Sequence, residues 1–121
     1  MTKEKTPRLR VTAAGGATVV ELTDRRILDE LSINEIGEQL ASMVAKSAAP
    51  KFVLDFSGVT HMSSSVLSML IALRNRIREK GGELRLSGIQ PPILELFAMT
   101  RLNEIFTICQ TREQALQTLR P

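Results

Sequence analysis

The sequence predicts an α/β fold with a mixed, mostly parallel sheet of about five strands and about four helices. The first reason is that short β-biased runs alternate with runs of helical periodicity along the chain. The second is that "KFVLDF" is continuously apolar, as expected of a strand covered on both faces. With 121 residues and 43% hydrophobic content, we expect a single domain over residues 1–121, with its core at about 8–119.

In the first part of the chain, "RLRVTAA" and "ATVVELT" flank Gly15 and Gly16, which predicts two strands joined as a hairpin. Ser32 is followed three residues later by Glu35, which predicts a capping box opening an amphipathic helix. We expect this helix to end before Pro50. Its apolar positions are Ile33, Ile36, Leu40, Met43 and Val44.

The middle of the chain holds the strand "KFVLDF", the loop "SGVTHM" and a second helix. We expect the helix to run from Ser63 to the stop signal at Gly81 and Gly82, and to carry its serines on the first turn. Its apolar positions are Val66, Leu70, Leu73 and Ile77.

The last part alternates in the same way, with "ELRLSG" and "IFTIC" as strands and "PPILELFAMT" as a helix between them. Thr111 and Gln114 predict a capping box for a final helix. The predicted order of elements is therefore ββαβαβαβα. One face of the third helix should pack against the core. The residues of this face are Ile93, Leu94, Phe97 and Ala98.

Composition excludes several classes of protein. The net charge of +3 is small, and the chain has no Trp or Tyr, so it lacks the aromatic platforms of single-strand nucleic-acid binders. A single cysteine, Cys109, cannot form an internal disulfide, and we expect it to be buried. The charged N-terminus is not a signal peptide, and no apolar run is long enough to cross a bilayer. We expect a cytoplasmic protein without direct nucleic-acid binding or membrane insertion.

The chain offers no set of catalytic or metal-binding residues. His61, the only histidine, lies three residues before Ser64 without a G-x-S-x-G motif, which argues against a serine hydrolase. One histidine without a cysteine cluster does not make a metal site. The glycine pairs lack the spacing of phosphate-binding loops. We expect no enzyme activity and no cofactor.

The segment "HMSSSVLSML" is the remaining candidate site. Ser63 is well placed to cap the second helix with its side-chain oxygen. Capping does not explain Ser64 and Ser65, which lie where free N–H groups and the helix dipole favour an added anion. A hydroxyl at this place is a candidate phosphate acceptor.

The chain resembles the STAS domain family, and within it the bacterial anti-sigma factor antagonists. The resemblance covers about residues 8 to 119. It is carried by the order of elements and by "FVLDFSGVTHMSSSVLSML" and "GGELRLSGIQPPILELFAMTRLNEIF".

The resemblance implies a phosphorylation site in a pattern of Asp, Ser, Ser or Thr, and Gly. In this chain Ser63 stands in place of the Asp, Ser64 takes the phosphorylated position, Ser65 matches the second hydroxyl residue and Val66 replaces the Gly. Asp24 resembles the acidic residue that many members place near the phosphosite. We therefore expect Ser64 as the phosphosite, with the other four residues contacting the partner. The Val66 side chain is expected to obstruct a partner that approaches closely.

The resemblance also implies a function. The unmodified protein would bind an anti-sigma factor that is a serine kinase, phosphorylation would release it, and a phosphatase would reset it. Two alternatives stay open at this point. One is a STAS scaffold or sensor that is not phosphorylated, and the other is a STAS domain that binds a small ligand or nucleotide.

Overall fold

The computed structural model describes residues 8–119, and these residues form a mixed sheet flanked by helices on both faces. The strands in chain order are β1 (Leu9–Ala14), β2 (Ala17–Leu22), β3 (Arg26–Ile27), β4 (Lys51–Asp55), β5 (His61–Met62), β6 (Glu83–Ser87) and β7 (Thr107–Cys109). The main sheet has the order β1-β2-β4-β6-β7, antiparallel between β1 and β2 and parallel elsewhere. This confirms the predicted fold class.

The helices are α1 (Glu30–Ala45), α2 (Ser65–Glu79), α3 (Pro91–Met99) and α4 (Arg112–Thr118). A 3₁₀ helix at Leu102–Glu104 follows α3, and it was not predicted. Within the part of the chain that the structure describes, the main elements follow the predicted order. The addition is a second, two-stranded parallel sheet of β3 and β5.

The β1–β2 hairpin turns at Gly15 and Gly16, whose φ angles are 56° and 87°. A two-residue hairpin turn with positive φ at both positions matches the twist of the flanking strands, and glycine adopts it without strain. The register therefore pairs Ala14 with Ala17 across the turn.

The main core lies between the sheet and helices α1, α2 and α3. The predicted apolar positions of α1 and α2 are buried there, apart from Met43, which is partly buried. The other face of the sheet packs against α4 in a smaller cluster formed by Val19, Val53 and Ala115. Because both faces are covered, β4 is an interior strand, as its apolar sequence predicted.

The predicted capping box of α1 is wrong. The helix is capped by Asp29, whose Oδ2 accepts from the Ser32 N–H at 3.0 Å and whose Oδ1 accepts from Ser32 Oγ at 2.8 Å. An ionised carboxylate is a stronger acceptor than a hydroxyl and suits the positive end of the helix dipole. Glu35 instead accepts from Arg8 Nε at 2.8 Å.

At the other end of the chain, the cap of α4 is confirmed. Thr111 Oγ1 accepts from the Gln114 N–H at 3.1 Å, and Gln114 Oε1 accepts from the Gln110 N–H at 3.1 Å. Two further expectations are wrong. Leu94 and Ala98 are exposed, because α3 is short and turns only Ile93 and Phe97 to the core. Cys109 is only half-buried, because it lies on the edge strand β7.

Candidate functional site

The candidate site is the serine segment, residues 63–65, between β5 and α2. It is held against the β2–α1 connection by the small β3–β5 sheet, in which Arg26 pairs with His61 and Ile27 with Met62. The Ser63 N–H extends this pairing by donating to the Ile27 carbonyl at 3.0 Å. Two segments far apart in sequence therefore meet at the serines.

Ser63 has its hydroxyl in a local turn. Its Oγ accepts from the Ser65 N–H at 3.2 Å, and its carbonyl accepts from the Val66 N–H at 3.1 Å. The predicted hydrogen bond from an N–H two residues on to the Ser63 oxygen is therefore confirmed, but the N-cap residue of α2 is Ser64 and not Ser63. The predicted helix start is wrong, because α2 begins at Ser65 and Ser63 and Ser64 precede it.

Ser64 is the exposed member of the segment. Its backbone is already helical, with φ −65° and ψ −19°, and its carbonyl accepts from the Leu67 N–H at 3.0 Å. Within residues 8–119, its hydroxyl has no side-chain capping bond. The Ser64 oxygen is therefore open to solvent at the positive end of α2.

Ser65 lies half-buried at the first position of α2, and its Oγ donates to Glu30 Oε2 at 3.3 Å. Glu30 lies in the first turn of α1. Sequence reasoning missed this acidic neighbour because the two residues are 35 positions apart. The sequence does place the Glu30 carboxylate near the start of a helix, where a negative charge is favourable. That position alone does not indicate which other part of the chain lies beside Glu30.

Val66 is not placed as expected. Its side chain is 0% exposed and belongs to the main core, because its position on α2 faces the sheet. The expectation that this side chain meets or obstructs a partner is therefore wrong.

Asp24 lies two residues beyond β2, and its Oδ2 accepts from Arg8 Nη1 at 2.6 Å. Arg8 also binds Glu35, and these hydrogen bonds, Glu35 first and Asp24 second, raise the pKa of Arg8. Among the hydrogen bonds of the described residues, none joins Asp24 to the serine segment. The structure thus places Glu30, and not Asp24, in contact with a serine.

A groove of about 540 Å³ runs between α1 and α2 from the serine segment. The helices approach closely at Gly37, where an added Cβ would lie 2.9 Å from Met69 Cγ. The polar residues that line the groove are Glu30, Asn34, Glu38, Ser65, Ser68 and Arg76.

Two exposed leucines lie beside Glu30. Leu28, just before α1, is 44% exposed, and Leu31, in its first turn, is 69% exposed. Single exposed apolar residues are common on protein surfaces, and these two lie three positions apart at the start of one helix. We call Leu28 and Leu31 the leucine pair.

The described residues contain no group of three or more His, Cys, Asp or Glu that could hold a metal ion. His61 is exposed and its Nδ1 lies 2.9 Å from Thr60 Oγ1, a local contact of the kind expected for a loop histidine. No helix between residues 8 and 119 is long and apolar enough to cross a membrane.

The fold and the site together define a class: a small α/β domain in which an exposed serine hydroxyl, that of Ser64, immediately precedes the second helix. Residues 8–115 match the model of the STAS domain. The chain belongs to the STAS domain family, which confirms the resemblance found in the sequence.

Known proteins similar to this chain carry related names. An anti-sigma F factor antagonist of Paenibacillus polymyxa is 26% identical over 104 residues, which are 86% of this chain and 87% of that protein. The structure of an anti-sigma-factor antagonist (STAS) domain protein from Planctomyces limnophilus superposes with a TM-score of 0.81 at 24% identity, covering 90% of this chain and 96% of that one.

A third similar protein is SpoIIAA, a Bacillus cell fate determinant whose structure was solved in the phosphorylated form. It superposes with a TM-score of 0.70 at 15% identity and covers 93% of this chain and 99% of that one. At these low identities, the two solved structures establish a common fold.

Proposed function

We propose that this protein is an anti-sigma factor antagonist that binds an anti-sigma factor with serine kinase activity and is released when Ser64 is phosphorylated. A phosphatase then restores the binding form. The observation that carries the proposal is the exposed Ser64 hydroxyl at the start of α2, in the position that the family resemblance assigns to the phosphate. The names of the relatives support the same role. The proposal places the protein in the cytoplasm, where its ATP-using partner acts.

The proposed reaction needs ATP, which the partner supplies. The Ser64 oxygen forms a bond to the γ-phosphorus, the bond from that phosphorus to the bridging oxygen breaks, and ADP leaves. The hydroxyl proton passes to a base of the kinase. The protein contributes the nucleophile and its position, so it acts as a substrate and a ligand.

Charge explains why the modification would release the partner. A phosphate adds about −1.5 to −2 charges and three strong acceptor oxygens at neutral pH. An interface formed over a neutral hydroxyl has no cation arranged to meet that charge, so the dianion would lose water without compensation. The positive end of α2 stabilises the phosphate in the free protein, which further favours release.

The leucine pair provides apolar area for the same interface. Leu31 is more exposed than Leu28, and it lies next to Glu30, whose carboxylate contacts Ser65. Burying exposed apolar surface in an interface contributes about 25 cal/mol per Å² of apolar area before the costs of association. We expect a partner that covers the serine segment to contact the leucine pair as well, since Glu30 lies between the two leucines in sequence.

The proposal is tested by incubating the purified protein with Mg-ATP and an extract of its own cells, followed by mapping of the phosphopeptides. We expect phosphate on Ser64 and its loss in Ser64→Ala. Ser63→Ala is the matched control. It should lower the free energy of unfolding by roughly 0.5–2 kcal/mol through loss of the hydrogen bond from the Ser65 N–H, but leave Ser64 phosphorylated.

Phosphorylation of Ser64→Ala to the same extent as the parent would contradict the proposal. If the parent protein is not phosphorylated at all, the scaffold or sensor alternative is favoured. In that alternative, Ser63 replaces the acidic residue of the family pattern and no kinase phosphorylates the site. A rise in melting temperature on adding a nucleotide would favour the nucleotide-binding alternative.

A further inference from the structure

Two neighbouring hydroxyls lie at the start of α2, and both share the same helix dipole. We propose that Glu30 selects between them, directing phosphorylation to Ser64 by making Ser65 a poor acceptor. This inference rests on the proposed function and adds a specificity-determining residue to the same site.

The hydrogen bonding of the two serines differs. The Ser65 hydroxyl donates to Glu30 Oε2 at 3.3 Å from a half-buried position, whereas Ser64 is exposed and makes no side-chain capping bond within residues 8–119. A kinase must reach the oxygen in line with the γ-phosphate. Ser64 can be approached from solvent, but the approach to Ser65 is limited by its burial and by the carboxylate beside it.

Charge acts in the same direction. A phosphate transferred to Ser65 would lie next to the Glu30 carboxylate, and two like charges so close disfavour each other. The γ-phosphate of ATP meets the same repulsion as it approaches. The dipole of α2 favours an anion at either serine, so it cannot discriminate between them. Glu30 can, because it contacts one hydroxyl and not the other.

The serine segment has no acidic residue of its own, because Ser63 stands where the family resemblance places an Asp. Asp24, the other acidic candidate, is paired with Arg8. Glu30 is therefore the carboxylate that the described structure places against the segment. Its place in the first turn of α1 fixes its backbone, because Asp29 caps that helix.

The first experiment maps phosphate after incubation with Mg-ATP and an extract of the source cells. In Glu30→Ala, which removes both the acceptor and the charge, we expect the share of phosphate on Ser65 relative to Ser64 to rise about 5- to 30-fold. Glu30→Gln, which keeps an acceptor but no charge, should give a smaller rise. Glu38→Ala is the matched control. It removes a carboxylate from the same helix and the same groove, two turns away, and should leave the ratio unchanged.

The second experiment needs no kinase. Ser65→Asp and Ser64→Asp each place a negative charge at one of the two positions. The melting temperature of each variant is measured with Glu30 intact and again in combination with Glu30→Gln. We expect Glu30→Gln to raise the melting temperature of Ser65→Asp clearly more than that of Ser64→Asp. Glu38→Gln, the control, should have the same effect on both.

The outcomes separate the inference from the proposed function. If Ser64 is phosphorylated but Glu30→Ala leaves the ratio unchanged, the inference is overturned and the proposed function stands. Equal effects of Glu30→Gln on the two Asp variants also overturn it. If neither serine of the parent protein is phosphorylated, the proposed function is overturned. The selection by Glu30 is then overturned as well.

Discussion

At the residue scale, three consecutive serines have three different surroundings because α2 begins within the run. Ser63 bonds the backbone, Ser64 faces solvent and Ser65 contacts Glu30. The hydrogen bond of Ser63 could be predicted, because it joins residues two positions apart. The contact of Ser65 could not, because it depends on how α1 and α2 pack.

Asp29 makes stability depend on pH. Hydrogen bonds from Ser32, first from its backbone N–H and then from its hydroxyl, lower the pKa of Asp29 below its ordinary value. A carboxyl with a lower pKa in the folded state adds stability above its unfolded pKa of about 3.9, and this stability is lost as the pH falls through the folded pKa.

We therefore expect Asp29→Asn to melt below the parent at pH 7, with the difference shrinking as the pH falls below the unfolded pKa towards pH 2. Asparagine still caps the helix but carries no charge. Melting curves from pH 2 to 7 test this expectation. A constant difference between the two proteins across that range would show that the carboxylate has no role in stability. Glu38→Gln, which removes a carboxylate with no capping role, is the control.

At the element scale, the helices and strands that the sequence predicted are those with local signals. The glycine turn of the hairpin, the apolar run of β4 and the Thr111 cap each depend on neighbouring residues. The small β3–β5 sheet was missed because each strand has only two residues, too few for a periodic pattern. Asp29 was missed as a cap because the Ser32–Glu35 spacing matched a capping box.

The interior position of β4 gives a direct prediction. Leu54 is 0% exposed and lies between β2 and β6. Leu54→Asp would bury an unpaired charge and should cost at least about 4 kcal/mol, enough to abolish folding. Ala13→Asp, on the exposed part of edge strand β1, is the control and should remain folded. Circular dichroism and urea unfolding measure the folding of both variants. Cooperative folding of Leu54→Asp would show that β4 is not an interior strand.

At the scale of the whole molecule, an ion pair joins α4 to the end of the central strand. Arg112 Nη2 and Nε donate to Asp55 Oδ2 at 2.5 and 3.0 Å, and Nη2 lies 3.5 Å from Glu21 Oε1. The hydrogen bond to Asp55 is the main cause that raises the pKa of Arg112. Asp55 is buried, so loss of the arginine would leave a buried carboxylate without its ion-pair partner. The pair could not be predicted, because 57 residues separate its members.

Arg112→Met should cost about 2–3 kcal/mol of unfolding free energy. This is less than the roughly 3–5 kcal/mol of a fully buried pair, because the Arg112 side chain is 34% exposed. Adding Asp55→Asn removes the stranded charge and should recover part of the loss. Urea unfolding of the single and double variants measures the coupling. If the losses of the two single variants simply add, the pair does not hold α4 to the sheet.

In the proposed function, a phosphate on Ser64 controls binding of the partner. The most direct measurement is a calorimetric titration of the cognate anti-sigma factor with the unmodified protein and with protein phosphorylated on Ser64. Because the dianion must lose water in the interface, we predict that the phosphorylated form binds at least about 100-fold more weakly, a difference of about 2.7 kcal/mol. Ser64→Ala, exposed to the same kinase and ATP, should bind as the unmodified protein does. Equal dissociation constants for the two forms of the parent would show that the phosphate on Ser64 does not control binding.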